Sequence, residues 1–451
     1  MFKKVLIANR GEIALRVIRA CRELGVATLA ICSTADREAL HARLADERVC
    51  VGPERPEASY LNVPAILSAA LSRGADAVHP GYGLLAENGD FAEACERSGL
   101  AFVGPRVRHL RLMGDKPRAR RIVEKAGVRV LPGSPEPLAD LADARAVADG
   151  IGYPILVKAA AGVGGRGLGV ARDPDALAAA FAVARREGER VFGNNLVYIE
   201  RYLERARHVE VQIVADRDRR IVHLGDRDCS VQRRHQKLIA EGPAVAIDRG
   251  LRAELAEAAI QTATAVGYTN VGSVEFLVDP DGIFYFIEMN TRVQVEHAVP
   301  EVLTGVDLVQ EGIRAAAGLP LGLTQKNVTV HGHAIECRIH AEPVRGVPAA
   351  RRTVQAFHAP GGLGIQVESA LEVGDAIAIE DEPLLAKVLA HGATRSQAIG
   401  RLCAALAELV IEGVPTNLAL HQRVLGDPEF GRGAVHTDWL EEHEASSRSA
   451  R

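Results

Sequence analysis

Between residues 4 and 80 two kinds of apolar run take turns, and that alternation constrains the fold more than any other feature of the chain. "KVLIA" is a short continuous run suited to a buried strand, whereas "EIALRVIRACREL" repeats its apolar residues at helical spacing. "ATLAIC" then reads as a strand, "VPAILSAALSR" as a helix and "ADAVHP" as a strand. Alternation at this spacing predicts a parallel sheet with helices on its faces. The strands run out into "NRGE" and "HPGYG", and in such sheets ligands gather at the carboxyl ends of the strands.

A basic helical segment follows, Val107 to Lys125, and then a Pro/Gly-rich break at "VLPGSPEPL" that reads as a linker. Residues 131–203 read as a small unit: strand "YPILVKA", a glycine loop, strand "LGVAR", helix "PDALAAAFAVARRE" and closing strand "NLVYIERYL". A third region opens with "HVEVQIVAD" and "IVHLGDRD", which alternate like paired strands, and the polar end "EEHEASSRSAR" is expected to be disordered. At 451 residues the chain has room for two to four such domains. A net charge of −4 gives no reason to expect nucleic acid or an anionic membrane as partner. No apolar run is long enough for a signal peptide or a membrane span, and a cytoplasmic setting is expected. Seven scattered cysteines without a Cys-x-x-Cys pair argue against zinc and against a disulfide framework.

"VKAAAGVGGRGLGV" places five glycines between Gly162 and Gly169. It satisfies G-x-G-x-x-G, but a dinucleotide fingerprint needs a helix directly after the turn, and here a strand-like run intervenes. No Gly-Lys-Ser/Thr closes it as a P-loop. What remains is a hairpin tip able to fold over a triphosphate, with Lys158 at its base, or a surface hairpin without a ligand.

The stretch "NVGSVEFLVDPDGIFYFIEMNTRVQVEH" is more specific, since two apolar-rich strands flank the turn "DPDG". Glu275 lies on the first strand; Glu288 and Asn290 share one face of the second. Two carboxylates and an amide oxygen are hard ligands suited to Mg²⁺ carrying nucleotide phosphates. Pro280 and Gly282 favour a type I turn, which in a regular ladder would pair Glu275 with Ile287 and turn Glu288 to the other face. A β-bulge is therefore predicted to bring the carboxylates together. The alternative is a core strand with surface acids. Beyond it, "TRVQVEH" alternates, so Arg292, Gln294 and Glu296 are expected on one strand face, placed to hold a small oxyanion and deprotonate it. "GDRDCSVQRRHQKLIAEGP" concentrates Arg227, Arg233, Arg234, His235 and Lys237, either a solvated face or a site for phosphate and bicarbonate.

With these motifs in place the chain resembles the biotin carboxylase component of acetyl-CoA carboxylase and its relatives, in the ATP-grasp superfamily. The carrying motifs are "ANRGEIALR", "HPGYG-x-L-x-EN", "MGDK", "RDCSVQRRHQK", "EMNTRVQVEH", "GHAIECRI" and "FHAPGG". The resemblance implies an α/β, ATP-grasp architecture: an N-terminal Rossmann-like parallel-sheet domain (1–113), a linker helix (114–130), a mobile lid (131–203), a catalytic core (204–330), a C-terminal α+β domain (331–445) and a polar tail (446–451). It implies ATP, Mg²⁺ or Mn²⁺, and carrier-bound biotin. Lys116, Lys158, Gly164 and Gly165 would meet ATP phosphates, Glu200, Arg201, Tyr202 and Leu203 the adenine, and His208, Gln232 and His235 the ribose and phosphates. Glu275, Glu288 and Asn290 would hold metal. Lys237, Arg292, Gln294 and the Val295 backbone would seat bicarbonate, with Glu296 as base; Arg338 and Tyr82 would serve biotin, Arg338 stabilising its enolate-like form.

Four places depart from the family pattern: Val163 in the glycine loop, Ala298-Val-Pro300 after "VEH", His340 where asparagine is common, and Glu380-Asp381-Glu382 before Lys387. The last leaves the biotin side less complete than the ATP and bicarbonate sides. No "AMKM"-like attachment segment is seen, so the biotin carrier and the carboxyltransferase are expected on separate chains. Arg19 and Glu23 match the family's dimer helix while Leu363 and Gln366 do not follow its commonest residues, and a homodimer is expected. The competing readings are an ATP-grasp ligase with another acceptor and a non-catalytic nucleotide-binding regulatory subunit.

Overall fold

The computed structural model describes residues 1–159, 168–343, 351–378 and 384–449. Val163, Gly164, Gly165 and the Glu380-Asp381-Glu382 segment lie outside them.

The N-terminal alternation folds as expected. Strands β1 (Lys4–Ile7), β2 (Ala27–Ser33), β3 (Glu47–Gly52), β4 (Ala77–His79) and β5 (Ala101–Phe102) form a parallel sheet in the order β3-β2-β1-β4-β5. Val5, Leu6 and Ile7 are fully buried because helices cover both faces, each side chain contributing about 1.5–3 kcal/mol. Asn9 Nδ2, just past β1, donates to Pro80 O and Tyr82 O at 2.7 and 2.8 Å, so the two loops beyond β1 and β4 are tied together.

The basic segment predicted as one helix is two, Val107–Gly114 and Lys116–Lys125. Asp115 interrupts it: its side chain accepts from the Arg118 N–H at 3.1 Å, and Pro117 suits only a first turn. The second helix is no free linker, since Ala119 and Val123 are buried in the main core. The expected Pro/Gly-rich linker is also ordered against a strand. Ser134 N–H donates to Ile199 O and Leu138 N–H to Val197 O, so this stretch runs along β8 (Val197–Arg201). β8 joins β6 (Ile155–Ala159) and β7 (Leu168–Ala171) in an antiparallel sheet ordered β7-β6-β8.

An eight-stranded antiparallel sheet forms the body. Its order is β15-β14-β9-β10-β13-β16-β21-β19, where β9 is Arg207–Ala215, β10 Ile221–Asp228, β13 Ile239–Gly242, β14 Asn270–Val278, β15 Phe284–Asn290, β16 His333–His340, β19 Ile365–Ser369 and β21 Leu384–Gly392. A short hairpin, β11 (Gln232–Arg233) and β12 (Gln236–Lys237), projects between β10 and β13, and β17 (Arg352–Thr353) pairs with β20 (Ala376–Ile377) and β18 (Ala356–His358) with β22 (Val410–Glu412) outside the large sheet. Period-two patterning orients this sheet. On β9, Val209, Val211 and Ile213 enter the core while His208, Glu210 and Gln212 take the other face, and both sets are buried. Of the polar end predicted to be disordered, residues 441–449 instead continue a helix, Trp439–Ser449, begun by the buried Trp439 and Leu440, and 450–451 lie outside the described residues. No helix among the described residues is long and apolar enough to cross a membrane.

Candidate active site

The polar faces of the large sheet, the loops beyond the parallel strands and the β6–β8 unit enclose a cleft of about 610 Å³. Its floor is set by strand register. Arg227 on β10, Glu210 on β9, Glu275 on β14 and Glu288 on β15 are successive cross-strand partners. The last pairing depends on the predicted bulge: Phe276 pairs with Phe286 and Glu275 with Glu288, so Ile287 is the extra residue. Gly282 has φ +82 and its N–H donates to Asp279 O at 3.0 Å, the turn that Pro280 and Gly282 favour.

Like charges directly opposite one another are destabilising, and this row places three carboxylates side by side. Lys237 answers it. Its Nζ donates to Glu275 Oε1 at 2.7 Å, to Glu296 Oε1 at 3.0 Å and to Glu210. Lys237 arrives there through a two-residue turn in which Arg234 and His235 both have positive φ, 52 and 60, leaving His235 exposed at the cleft rim. Arg227 closes the other side, donating to Glu210 Oε2 at 2.9 Å, to Gln212 Oε1 at 2.8 Å and to Gln294.

Glu296, only 1 % exposed, also accepts from Arg338 through Oε2. Burial alone would raise its pKa, but Arg338 and Lys237 hold the carboxyl well below the usual range, so it is ionised at neutral pH. Glu275 is likewise held well below it by Lys237 and His208 against the effect of burial, whereas burial and Glu275 push Glu210 up. Residues 292–296 do not continue a strand, contrary to the sequence expectation. Val295–His297 form a short 3₁₀ turn, and Arg292, Gln294 and Glu296 reach the cleft through loop geometry instead. Gln294 Nε2 donates to Glu275 Oε1 at 2.9 Å, and Arg292 pairs with Glu87 at 3.1 Å and with Asn290 Oδ1 at 3.2 Å. The Val295 N–H has no partner among the described residues.

Toward the β6–β8 unit, Lys158 Nζ pairs with Glu200 Oε1 at 2.5 Å, and Arg120 donates to Glu200 Oε2 at 3.3 Å. Burial lowers the Lys158 pKa against the raising effect of Glu200. Arg201, Tyr202 and Leu203 follow on the cleft wall, the Leu203 N–H without a partner among the described residues. Lys116 approaches Glu288 at 3.5 Å. Gln232 Nε2 donates to His208 Nδ1 at 2.7 Å, so His208 presents its Nε2–H to Glu275 Oε2, also at 2.7 Å. Glu275, Glu288 and the amide of Asn290 all line the cleft, and their hard oxygens fit Mg²⁺. Tyr82 stands outside the cleft lining, its hydroxyl donated to Glu12. The structure adds residues that sequence reasoning left without a role: Glu210, Gln212, Glu87, Arg120 and Lys387. For the first two a signal was present, since His208, Glu210 and Gln212 share one face of an otherwise apolar strand.

Family profiles match nearly the whole chain: "Biotin carboxylase, N-terminal domain" over residues 1–110, "Carbamoyl-phosphate synthase L chain, ATP binding domain" over 115–324 and "Biotin carboxylase C-terminal domain" over 336–442. The biotin carboxylase of Pseudomonas aeruginosa is 50% identical over 98% of both chains. The chain belongs to the biotin carboxylase family. Among solved structures, the biotin carboxylase of Campylobacter jejuni in a β-γ-ATP complex superimposes with a TM-score of 0.95 at 41% identity, covering 98% of this chain and 99% of that one. The biotin carboxylase domain dimer of Hydrogenobacter thermophilus 2-oxoglutarate carboxylase, with MgADP, ADP and bicarbonate, gives 0.95 at 43% identity, covering 98% of each chain. The fold is therefore ATP-grasp, and the activity is the ATP- and Mg²⁺-dependent carboxylation of biotin.

The same burial that builds the site makes the protein acid-sensitive. Burial pushes His41, His109 and His421 down to about 4, and His79, His297 and His340 down to about 3. Between those values and the unfolded value of about 6.5, the unfolded chain binds more protons, so stability falls as pH falls. Glu301 and Glu336 act oppositely: burial raises both to about 8, so the folded state gains stability as pH drops through 8. The six imidazoles outnumber these two carboxyls, and the apparent melting temperature should fall by roughly 5 °C or more from pH 7 to pH 5. Thermal scans across that range check it; a constant or rising melting temperature would contradict the neutral-imidazole assignment.

Proposed function

We propose that the cleft divides its labour as follows. Lys116, Lys158 and the Gly164-Gly165 loop hold ATP phosphates; Glu200 and the Arg201–Leu203 segment hold adenine; His208, Gln232 and His235 hold the ribose–phosphate stretch. Glu275, Glu288 and Asn290 hold Mg²⁺ or Mn²⁺, which when bound offsets charge on the transferring phosphoryl group. Lys237, Arg292, Gln294 and the Val295 N–H seat bicarbonate, Glu296 takes its proton, and Arg338 with Tyr82 serves biotin. The observation that carries this reading is the juxtaposition of an ionised, buried Glu296, bridged by Lys237 and Arg338, with a Val295 N–H one residue away that has no partner among the described residues.

Bicarbonate is a weak nucleophile, and loss of its proton to Glu296 makes an oxyanion that attacks the γ-phosphorus as the bond to ADP breaks. Lys237 and Arg292 fix the oxyanion, so attack begins from an oriented pair. The product, carboxyphosphate, splits into CO₂ and phosphate. That phosphate takes the proton from biotin N1′, and N1′ then attacks CO₂. Arg338 compensates the charge that develops on the ureido oxygen. Lys237 is shared between Glu296 and the bicarbonate seat, so bicarbonate bound against it loosens its hold on Glu296, which becomes a stronger base.

The divisions 1–113, 114–130, 131–203, 204–330 and 331–445 are proposed for the domains, in keeping with the three family matches and the separate β7-β6-β8 sheet. A homodimer is proposed, with the biotin carrier and carboxyltransferase on separate chains. Seven unpaired cysteines, five of them buried, support a reducing cytoplasmic setting. The test is ADP release with bicarbonate, with and without free biotin. Stimulation by biotin is expected; turnover with bicarbonate alone would favour another acceptor, and nucleotide binding without hydrolysis a regulatory subunit.

A further inference from the structure

Behind the cleft lies a second charged cluster that the chemistry above does not use. Lys387 on β21 is 1 % exposed, and its Nζ meets three partners from three parts of the fold. It donates to Val295 O at 2.9 Å, pairs with Glu368 Oε2 on β19 at 2.6 Å, and lies 3.4 Å from Glu12 Oε2 on the helix Gly11–Glu23. Only the Val295 contact has hydrogen-bond geometry; the Glu368 and Glu12 oxygens hold the ammonium as ion partners. Glu12 in turn accepts the Tyr82 hydroxyl through its other oxygen.

The two peptides before Glu296 are thereby fixed. Val295 O is held by Lys387, and Gln294 O accepts from the His297 ring Nδ1 at 2.7 Å. In a trans peptide N–H and C=O point in opposite directions. Holding Gln294 O on the inner side turns the Val295 N–H outward, and that N–H has no protein partner among the described residues. Holding Val295 O orients the next peptide, whose N–H faces the Glu296 carboxylate.

We propose that Lys387 is a positioning residue for the anion-binding turn: by holding Val295 O it fixes the Val295–Glu296 peptide and, beside the His297 hold on Gln294 O, keeps the Val295 N–H and the Glu296 carboxylate aimed at bicarbonate. Through Glu12 it links that turn to Tyr82, so the bicarbonate and biotin ends of the site share one buried support. The inference rests on the bicarbonate reading above. A buried ion pair serving stability alone is the alternative, and breaking such pairs is costly in any case.

The test compares the parent enzyme with K387M and with K387M/E368Q, the double variant removing the carboxylate that K387M would strand. Bicarbonate KM, ATP KM and kcat are read from ADP release at saturating biotin. A positioning role predicts a bicarbonate KM raised about tenfold or more in both variants, with ATP KM within about twofold. Equal changes in both KM values, an unchanged bicarbonate KM, or failure of the double variant to fold would each overturn it. A parent whose ADP release does not respond to bicarbonate would refute the underlying reading instead, before any variant is compared.

Discussion

Replacing Glu296 with glutamine is expected to lower bicarbonate-dependent ADP release by about 10²–10⁴-fold, the range spanned by loss of a positioned general base. The substitution keeps the shape of the side chain, so the 3₁₀ turn Val295–His297 has no steric reason to move. What it removes is charge and basicity. Glu296 Oε1 accepts from Lys237 at 3.0 Å and Oε2 from Arg338, and a glutamine would set an NH₂ group against one of those cations. Nucleotide affinity should stay within a few-fold, because Lys116, Lys158 and Glu200 lie on other elements and touch none of these atoms. Calorimetric titration with nucleotide and a coupled ADP assay separate the two effects. Turnover of E296Q near the parental level would place the base elsewhere, with Glu210 the nearest buried carboxylate on the same lysine.

How far the sequence foretold this site depends on whether the signal was local. The β14–β15 register was legible because turn chemistry fixes it: Pro280 and Gly282 set the turn, and only a bulge then brings Glu275 and Glu288 opposite each other. The parallel sheet was legible from alternation, though its strand order was not, since no local pattern says that β4 pairs with β1. Of the two grounds for picking out Glu296, the family resemblance and the alternating pattern, the second does not hold. Alternating polarity suggested a strand face, whereas its position follows from a turn anchored by Lys387, 92 residues away at the Val295 carbonyl. Such anchors are invisible to periodicity. So was the ordering of 130–138, where proline and glycine signal a loop locally but the backbone finds partners on β8. The departures at Val163 and at Glu380-Asp381-Glu382 fall outside the described residues.

Removing Lys237 should damage both stability and turnover, and pH distinguishes the reasons. In K237M three carboxylates lose their shared cation: Glu210, Glu275 and Glu296, all at 4 % exposure or less. Arg227, Arg338 and His208 remain, each already engaged with one or more of the three carboxylates. Breaking a buried cluster by removing one partner costs about 3–5 kcal/mol, seen as a lower melting temperature. Without Lys237, Glu275 and Glu296 lose a major influence that now holds them down, and burial raises them. Groups whose folded pKa lies above the unfolded value of about 4.3 bind protons preferentially in the folded state, so they add stability as pH falls. The deficit of K237M relative to the parent should therefore shrink between pH 8 and pH 5, whereas a loss of packing alone would leave it constant. Turnover follows a different course. The bicarbonate-dependent rate should fall about 10³-fold or more at every pH, because protonating Glu296 relieves the fold while removing the base, and the oxyanion has lost a cation that orients it. A K237M variant that regained turnover in parallel with stability at low pH would show that Lys237 holds the site together without taking part in its chemistry.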